Sequence, residues 1–138
     1  MNHETIWSRV ASLRERMRTI GLDAFAMIVV ERSNWEGAYY ISGFRGSSSG
    51  IVITQSDAVL ITDGRYATQS RSQSPFDVRL QGHRSLTGAI RAVLAETGSL
   101  RIGYESDRIS VRKFKELRGE DASVEWVDAS DVLPLLRR

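Results

Sequence analysis

The residues with chemistry to offer crowd into one stretch, Ser42–Tyr66, which reads SGFRGSSSGIVITQSDAVLITDGRY. Within it Gly46, Ser48 and Gly50 stand at the G-x-S-x-G spacing of a nucleophile elbow. An elbow exposes its serine on a strained turn between a preceding strand and a following helix. Here the order is inverted: a short helical segment comes first, and the apolar run Ile51–Thr54 follows. A serine nucleophile also needs a base within hydrogen-bond reach. The two histidines are His3, in the terminal tail, and His83, in a Gln-Gly-His-Arg loop. A phosphate loop fails as well, because it places a lysine and a hydroxyl directly before a helix, and the lysines are Lys113 and Lys115. The chain has no cysteine, which removes disulfides, thiolate metal sites and cysteine nucleophiles. No H-x-x-x-H pair offers a zinc spacing. Asp57, Asp63, Glu105, Asp107, Asp121 and Asp128 fall at predicted strand ends and turns, where carboxylates serve as caps and turn formers.

What remains is a binding chemistry without a catalytic set. Arg45 lies in a glycine-rich loop beside Phe44 and Ser47, and its planar fork suits a carboxylate held by two hydrogen bonds. Arg65, in Asp63-Gly64-Arg65-Tyr66, can reach back over the hairpin or form an ion pair. Tyr66 reads as core or interface. Trp35, Tyr39 and Tyr40 form an aromatic group just ahead of the loop, a composition that favours an interface. Ser110 and Ser85 read only as helix caps.

The elements that must position these residues alternate between helix and strand. Ile6, Val10, Leu13, Met17 and Ile20 make one face of an amphipathic helix, capped by Asn2 or Thr5 and ended by Gly21. Its charges Arg9, Glu15, Arg16 and Arg18 read as a solvated face. Ala24–Val30 is a continuous apolar run, the pattern of a strand covered on both faces. Asn34 is placed to cap a short helix through Trp35–Ile41. Ile51–Thr54 and Ala58–Thr62, split by the polar Gln55–Asp57, form a hairpin. Asp63 caps a helix over about Arg65–Arg71, broken by Ser74-Pro75. Then follow a strand at Asp77–Leu80, a helix bearing Leu86, Ile90, Val93 and Leu94, and a strand at Arg101–Glu105. A helix with Phe114 and Leu117 inward, a strand at Ser123–Val127 and a last helix from Asp128 to Leu136 complete the order. Strands alternating with helices give an α/β domain, mixed because of the hairpin.

Composition bounds the rest. At 138 residues the chain is one domain long. Nineteen basic against 17 acidic residues, a net charge of +2, is too weak and too scattered for a nucleic-acid-binding stripe. No apolar run reaches the ~18 residues that cross a bilayer, and the polar MNHETIWSRV start carries no secretory pattern. A cytoplasmic protein is the expectation. The uncapped Leu135-Leu136-Arg137-Arg138 end reads as a segment of a longer polypeptide.

Taken together, Ser42-Gly43-Phe44-Arg45-Gly46-Ser47, the hairpin and Thr62-Asp63-Gly64-Arg65-Tyr66 resemble the amino-terminal domain of Xaa-Pro aminopeptidases, prolidases and creatinase. Gly21-Leu22-Asp23-Ala24, Ile102-Gly103-Tyr104-Glu105 and Val127-Asp128-Ala129 extend the resemblance over nearly the whole chain. It implies a ribonuclease-H-like α/β fold, a mixed sheet with a central hairpin and helices on both faces. It also implies a pita-bread catalytic domain after residue 138, binding two divalent metal ions (Mn, Co or Zn) through residues this chain does not contain. The implied role of residues 1–138 is non-catalytic: to support a homodimer and to wall the active site of that domain, which acts on peptides containing proline. Carried over, Phe44 and Arg45 are the substrate-facing candidates, with Ser47, Arg65, Tyr66, Trp35, Tyr39 and Tyr40 at the site or an interface. A creatinase-type amidinohydrolase and a stand-alone binding module are the alternatives. The Thr-Asp-Gly-Arg-Tyr form resembles the aminopeptidases more closely than creatinase.

Overall fold

Ala24–Val29 contains no polar residue, so both of its faces need cover. In the computed structural model, which describes residues 1–137, this run is β1, and all six of its residues are buried. The elements in chain order are α1 (His3–Ile20), β1 (Ala24–Val29), α2 (Trp35–Ser42), β2 (Ser49–Thr54) and β3 (Ala58–Thr62). After a 3-10 turn at Gly64–Tyr66 come α3 (Ala67–Gln73), β4 (Asp77–Leu80), α4 (Leu86–Thr97), β5 (Arg101–Tyr104), α5 (Val111–Arg118), β6 (Glu125–Asp128) and α6 (Val132–Leu136). The strands form one six-stranded sheet in the order β4-β3-β2-β1-β5-β6. β2 pairs antiparallel with β1 and β3, while β3/β4, β1/β5 and β5/β6 are parallel. The expected mixed sheet with a central hairpin is therefore present.

Alternation sorts the core into two layers, because successive strand residues point to opposite faces. Phe25, Met27 and Val29 join Ile51, Ile53 and Leu60 under Ile6, Val10, Leu13 and Met17 of α1, with Val132 and Leu133 of α6 beside them. Ala24, Ala26 and Ile28 join Val52, Val59 and Ile61 under Ala89, Ile90, Val93 and Leu94 of α4 and Leu117 of α5. Each fully buried Val, Leu, Ile, Met or Phe side chain among them contributes about 1.5–3 kcal/mol. The α4 layer approaches closely at Gly50, where a Cβ would stand 2.5 Å from Ile90 Cγ1.

Local chemistry fixes the boundaries. Asn2 accepts from the Glu4 N–H to start α1, and left-handed Gly21 ends it. Ser85 and Ser110 cap α4 and α5. β6 starts at Glu125 rather than Ser123 because the Asp121 carboxylate folds Ser123 into a turn. Asp128 likewise accepts from the Ser130 N–H, which delays α6 to Val132. Asp63 caps the 3-10 turn by accepting from the Arg65 N–H, so the helix expected over Arg65–Arg71 starts at Ala67. The Arg-rich face of α1 is not merely solvated: Arg14 donates to the carbonyls of Thr54 and Asp57, and the Arg9 guanidinium lies 4.1 Å from the Tyr40 ring centre.

Candidate functional site

The loop between α2 and β2 is held by its backbone while its arginine points out. Gly43 ends α2 with φ 82, and a Cβ there would stand 2.6 Å from the Gln73 carbonyl oxygen. Both the turn and the close approach demand glycine. The Arg45 N–H donates to Gln73 Oε1 at 3.0 Å. Thr62 Oγ1 donates to the Ser48 carbonyl at 2.9 Å, and Ser47 Oγ shares a 2.6 Å hydrogen bond with Tyr66 OH. The Ser47 carbonyl accepts from the Arg32 N–H at 3.0 Å. The exposed Arg45 guanidinium then rests 5.0 Å from the Tyr39 ring centre and 5.4 Å from that of Trp35, within cation–π range. It separates a hollow of about 130 Å³ lined by Arg32, Trp35 and Arg45 from one of about 290 Å³ bordered by Tyr39, Gly43 and Gln73.

Arg32 reaches this place on an unusual turn. Glu31, Arg32 and Asn34 have φ of 51, 69 and 65, left-handed values that cost side-chain-bearing residues of order 1–3 kcal/mol each and persist only where the surroundings impose them. Asn34 makes no side-chain cap to α2, contrary to expectation. Its Nδ2 instead donates to Glu105 Oε1 at 2.7 Å. Glu105, just past the end of β5, is buried and is neither a cap nor a turn former through its carboxylate. Burial pushes its carboxyl above the ordinary carboxylate range and Asp107 adds to the shift, while the Asn34 hydrogen bond and Arg108 oppose it.

The candidates from sequence thus part company. Trp35, Tyr39 and Arg45 come together, with Ser47 and Tyr66 bracing the loop beneath them. Phe44 does not face outward: it is 1% exposed and packs edge-on to Tyr66, with ring centres 5.7 Å apart. The loop lies directly on its ring, since a Cβ at Gly46 would clash with Phe44 Cζ, so Phe44 is a core residue. Arg65 closes a two-bond ion pair on Asp63, which holds that carboxyl below its ordinary range. Tyr40 belongs elsewhere: its OH donates to the Leu136 carbonyl at 3.2 Å, tying α2 to α6. Arg32 and the Asn34–Glu105 pair escaped sequence reasoning; the polar run Glu31-Arg32-Ser33-Asn34 was their only signal. Ser48 follows a helix and precedes β2, so the elbow geometry is not met.

Among the described residues no group of three or more His, Asp and Glu side chains could hold a metal ion. The residues present do not fit a two-metal centre. Nor is any described helix long and apolar enough to cross a membrane.

The family model for the creatinase/prolidase N-terminal domain matches residues 9–138. This chain belongs to that family. As a creatinase/prolidase N-terminal domain it is 32% identical to the N-terminal domain of the cytoplasmic peptidase PepQ from Mycobacterium tuberculosis, with a TM-score of 0.82 over 94% of this chain and 98% of that one. The X-Pro aminopeptidase from Thermotoga maritima superposes with a TM-score of 0.85 at 26% identity, over 93% of this chain but 35% of that one. Mouse Xaa-Pro aminopeptidase 2 is 30% identical over 117 residues, 78% of this chain and 17% of that protein. The domain spans less than a fifth of the curated relatives it matches.

Proposed function

We propose that this domain is the non-catalytic front part of an Xaa-Pro aminopeptidase or dipeptidase, a cytoplasmic hydrolase whose pita-bread catalytic domain follows residue 138. That domain would supply two divalent metal ions, Mn, Co or Zn, and the hydrolytic chemistry. The N-terminal domain would wall its active site, in the same subunit or in the second subunit of a homodimer, against a peptide substrate containing proline.

One observation carries the reading. Among the described residues the Arg45 guanidinium meets no carboxylate, although the backbone under it is fixed at Gln73, Thr62 and Arg32. An arginine held on a rigid base, with its fork free, is prepared for a carboxylate or peptide carbonyl it does not own. Trp35 and Tyr39 limit its rotamers, which lowers the entropy lost on binding. Arg32, across the 130 Å³ hollow, adds a second positive charge. The relatives, Xaa-Pro aminopeptidases and a peptidase, favour peptide over creatine as substrate.

The purified 138-residue chain is expected to leave Xaa-Pro peptides uncut in the presence of Mn, Co or Zn, followed by chromatographic detection of the released amino acid. Metal-dependent cleavage by this chain alone would overturn the proposal.

A further inference from the structure

We propose that Glu105 is a positioning residue for the Arg45 site. Through its hydrogen bond to Asn34 it holds the left-handed turn that brings Arg32 and Trp35 up to Arg45. The inference rests on reading the Arg45 loop as the wall of a site, and it adds the element that sets the wall's shape.

Three observations converge. First, the turn from Glu31 to Asn34 holds three residues with side chains at positive φ, and such a turn is kept only by its surroundings. Second, the side-chain hydrogen bond from this turn into the body of the domain is the buried one from Asn34 Nδ2 to Glu105 Oε1, 71 residues away in sequence. Third, Asn34 immediately precedes Trp35, the first residue of α2, and Arg32 donates its N–H to the Ser47 carbonyl of the Arg45 loop. Any movement of Asn34 therefore moves both walls of the 130 Å³ hollow. Gly37 belongs to the same packing: a Cβ there would stand 2.9 Å from Asn34 Oδ1 and 3.2 Å from Met27 Cε. The amide is wedged between α2, β1 and the carboxylate. Around Glu105 the charged neighbours are Asp107 and Arg108 on its own turn, and the strained turn meets it through the Asn34 amide. Lys113 of α5 lines the adjacent hollow with Arg108.

Isotope-labelled 138-residue chain provides the test. Glu105→Ala is expected to shift the Trp35 indole N–H resonance and to remove most of the Trp35–Arg45 cross-peak intensity. Glu105→Gln, whose amide oxygen still accepts from Asn34, is expected to restore it. If Glu105→Ala fails to fold, Asn34→Gly, which keeps the backbone freedom but lacks the donor, is expected to show the same loss. The wild-type Trp35 indole is also expected to titrate with a midpoint above the ordinary carboxylate range, and Glu105→Gln to abolish that titration. Intact Trp35–Arg45 contacts in folded Glu105→Ala or Asn34→Gly would overturn the inference, as would an equal titration in Glu105→Gln. These spectra judge the positioning role alone; kinetics of Arg45 variants judge whether the loop walls a site.

Discussion

Two turns flank β2, and they use arginine in opposite ways. At the hairpin end, Arg14 Nε donates to the Thr54 carbonyl at 2.7 Å and its Nη2 to the Asp57 carbonyl at 2.9 Å. Arg18 Nη1 donates to Gln55 Oε1 at 2.6 Å, and Gln55 Nε2 returns a bond to the Arg14 carbonyl. Thr54 Oγ1 closes on Asp57 Oδ2. At the other end, the backbone from Gly43 to Ser48 is as firmly held, yet the Arg45 guanidinium lies on the rings of Tyr39 and Trp35. An arginine whose donors meet the chain's own carbonyls is a fastener. One that rests on aromatic faces, on a fixed backbone, has the arrangement that the proposed substrate-facing role requires.

That contrast can be broken by substitution. The largest effect is expected one residue from Arg45: Phe44→Ala should cost about 3–5 kcal/mol, the range for emptying a buried aromatic site. Urea unfolding measures it, and a near-wild-type midpoint would mean that Phe44 is not the core residue its burial indicates. Next, Arg14→Ala should lower stability by about 2 kcal/mol, because hydrogen bonds to charged groups contribute roughly 1.5–3 kcal/mol. The urea midpoint should fall with the slope unchanged; an unmoved midpoint would remove the distinction between the two turns. The smallest effect concerns pH. Glu105 has a folded carboxyl raised by burial, so the folded state binds more protons than the unfolded one between the two values. The stability this brings is fully present below the unfolded value of about 4.3 and is lost as pH rises through the folded value. Glu105→Gln cannot titrate, so its stability relative to wild type should improve from about pH 4 to about pH 7. Paired unfolding curves at the two pH values check the sign, and the opposite trend would contradict the burial argument.

Most of the fold was legible because it follows from periodicity. The all-apolar run Ala24–Val30 announced a doubly covered strand, and the spacing of Ile6, Val10, Leu13 and Met17 announced the helix that covers one side. Boundaries near Ser123, Asp128 and Asp63 moved by a few residues where a carboxylate took a neighbouring N–H before the regular element could begin. The site was half legible. Arg45, Trp35 and Tyr39 stood out by type and by closeness in sequence. Phe44 misled because its neighbours Gly43, Arg45 and Gly46 read as an exposed loop, whereas the loop folds over its ring. Asn34 and Glu105 each looked like an ordinary cap or turn residue, and nothing local marks a partner 71 residues away. Arg32 was hidden for the same reason, since its position depends on left-handed backbone that no sequence period encodes.

The proposed role of Arg45, held for a substrate of a neighbouring catalytic domain, is measured by steady-state kinetics of Arg45→Ala in the full-length protein on an Xaa-Pro peptide. kcat/KM is expected to fall about tenfold, equivalent to about 1.4 kcal/mol, while the unfolding midpoint of the 138-residue domain stays at the wild-type value. Unchanged kcat/KM in a folded variant would contradict that role and make Arg45 a solvated loop residue.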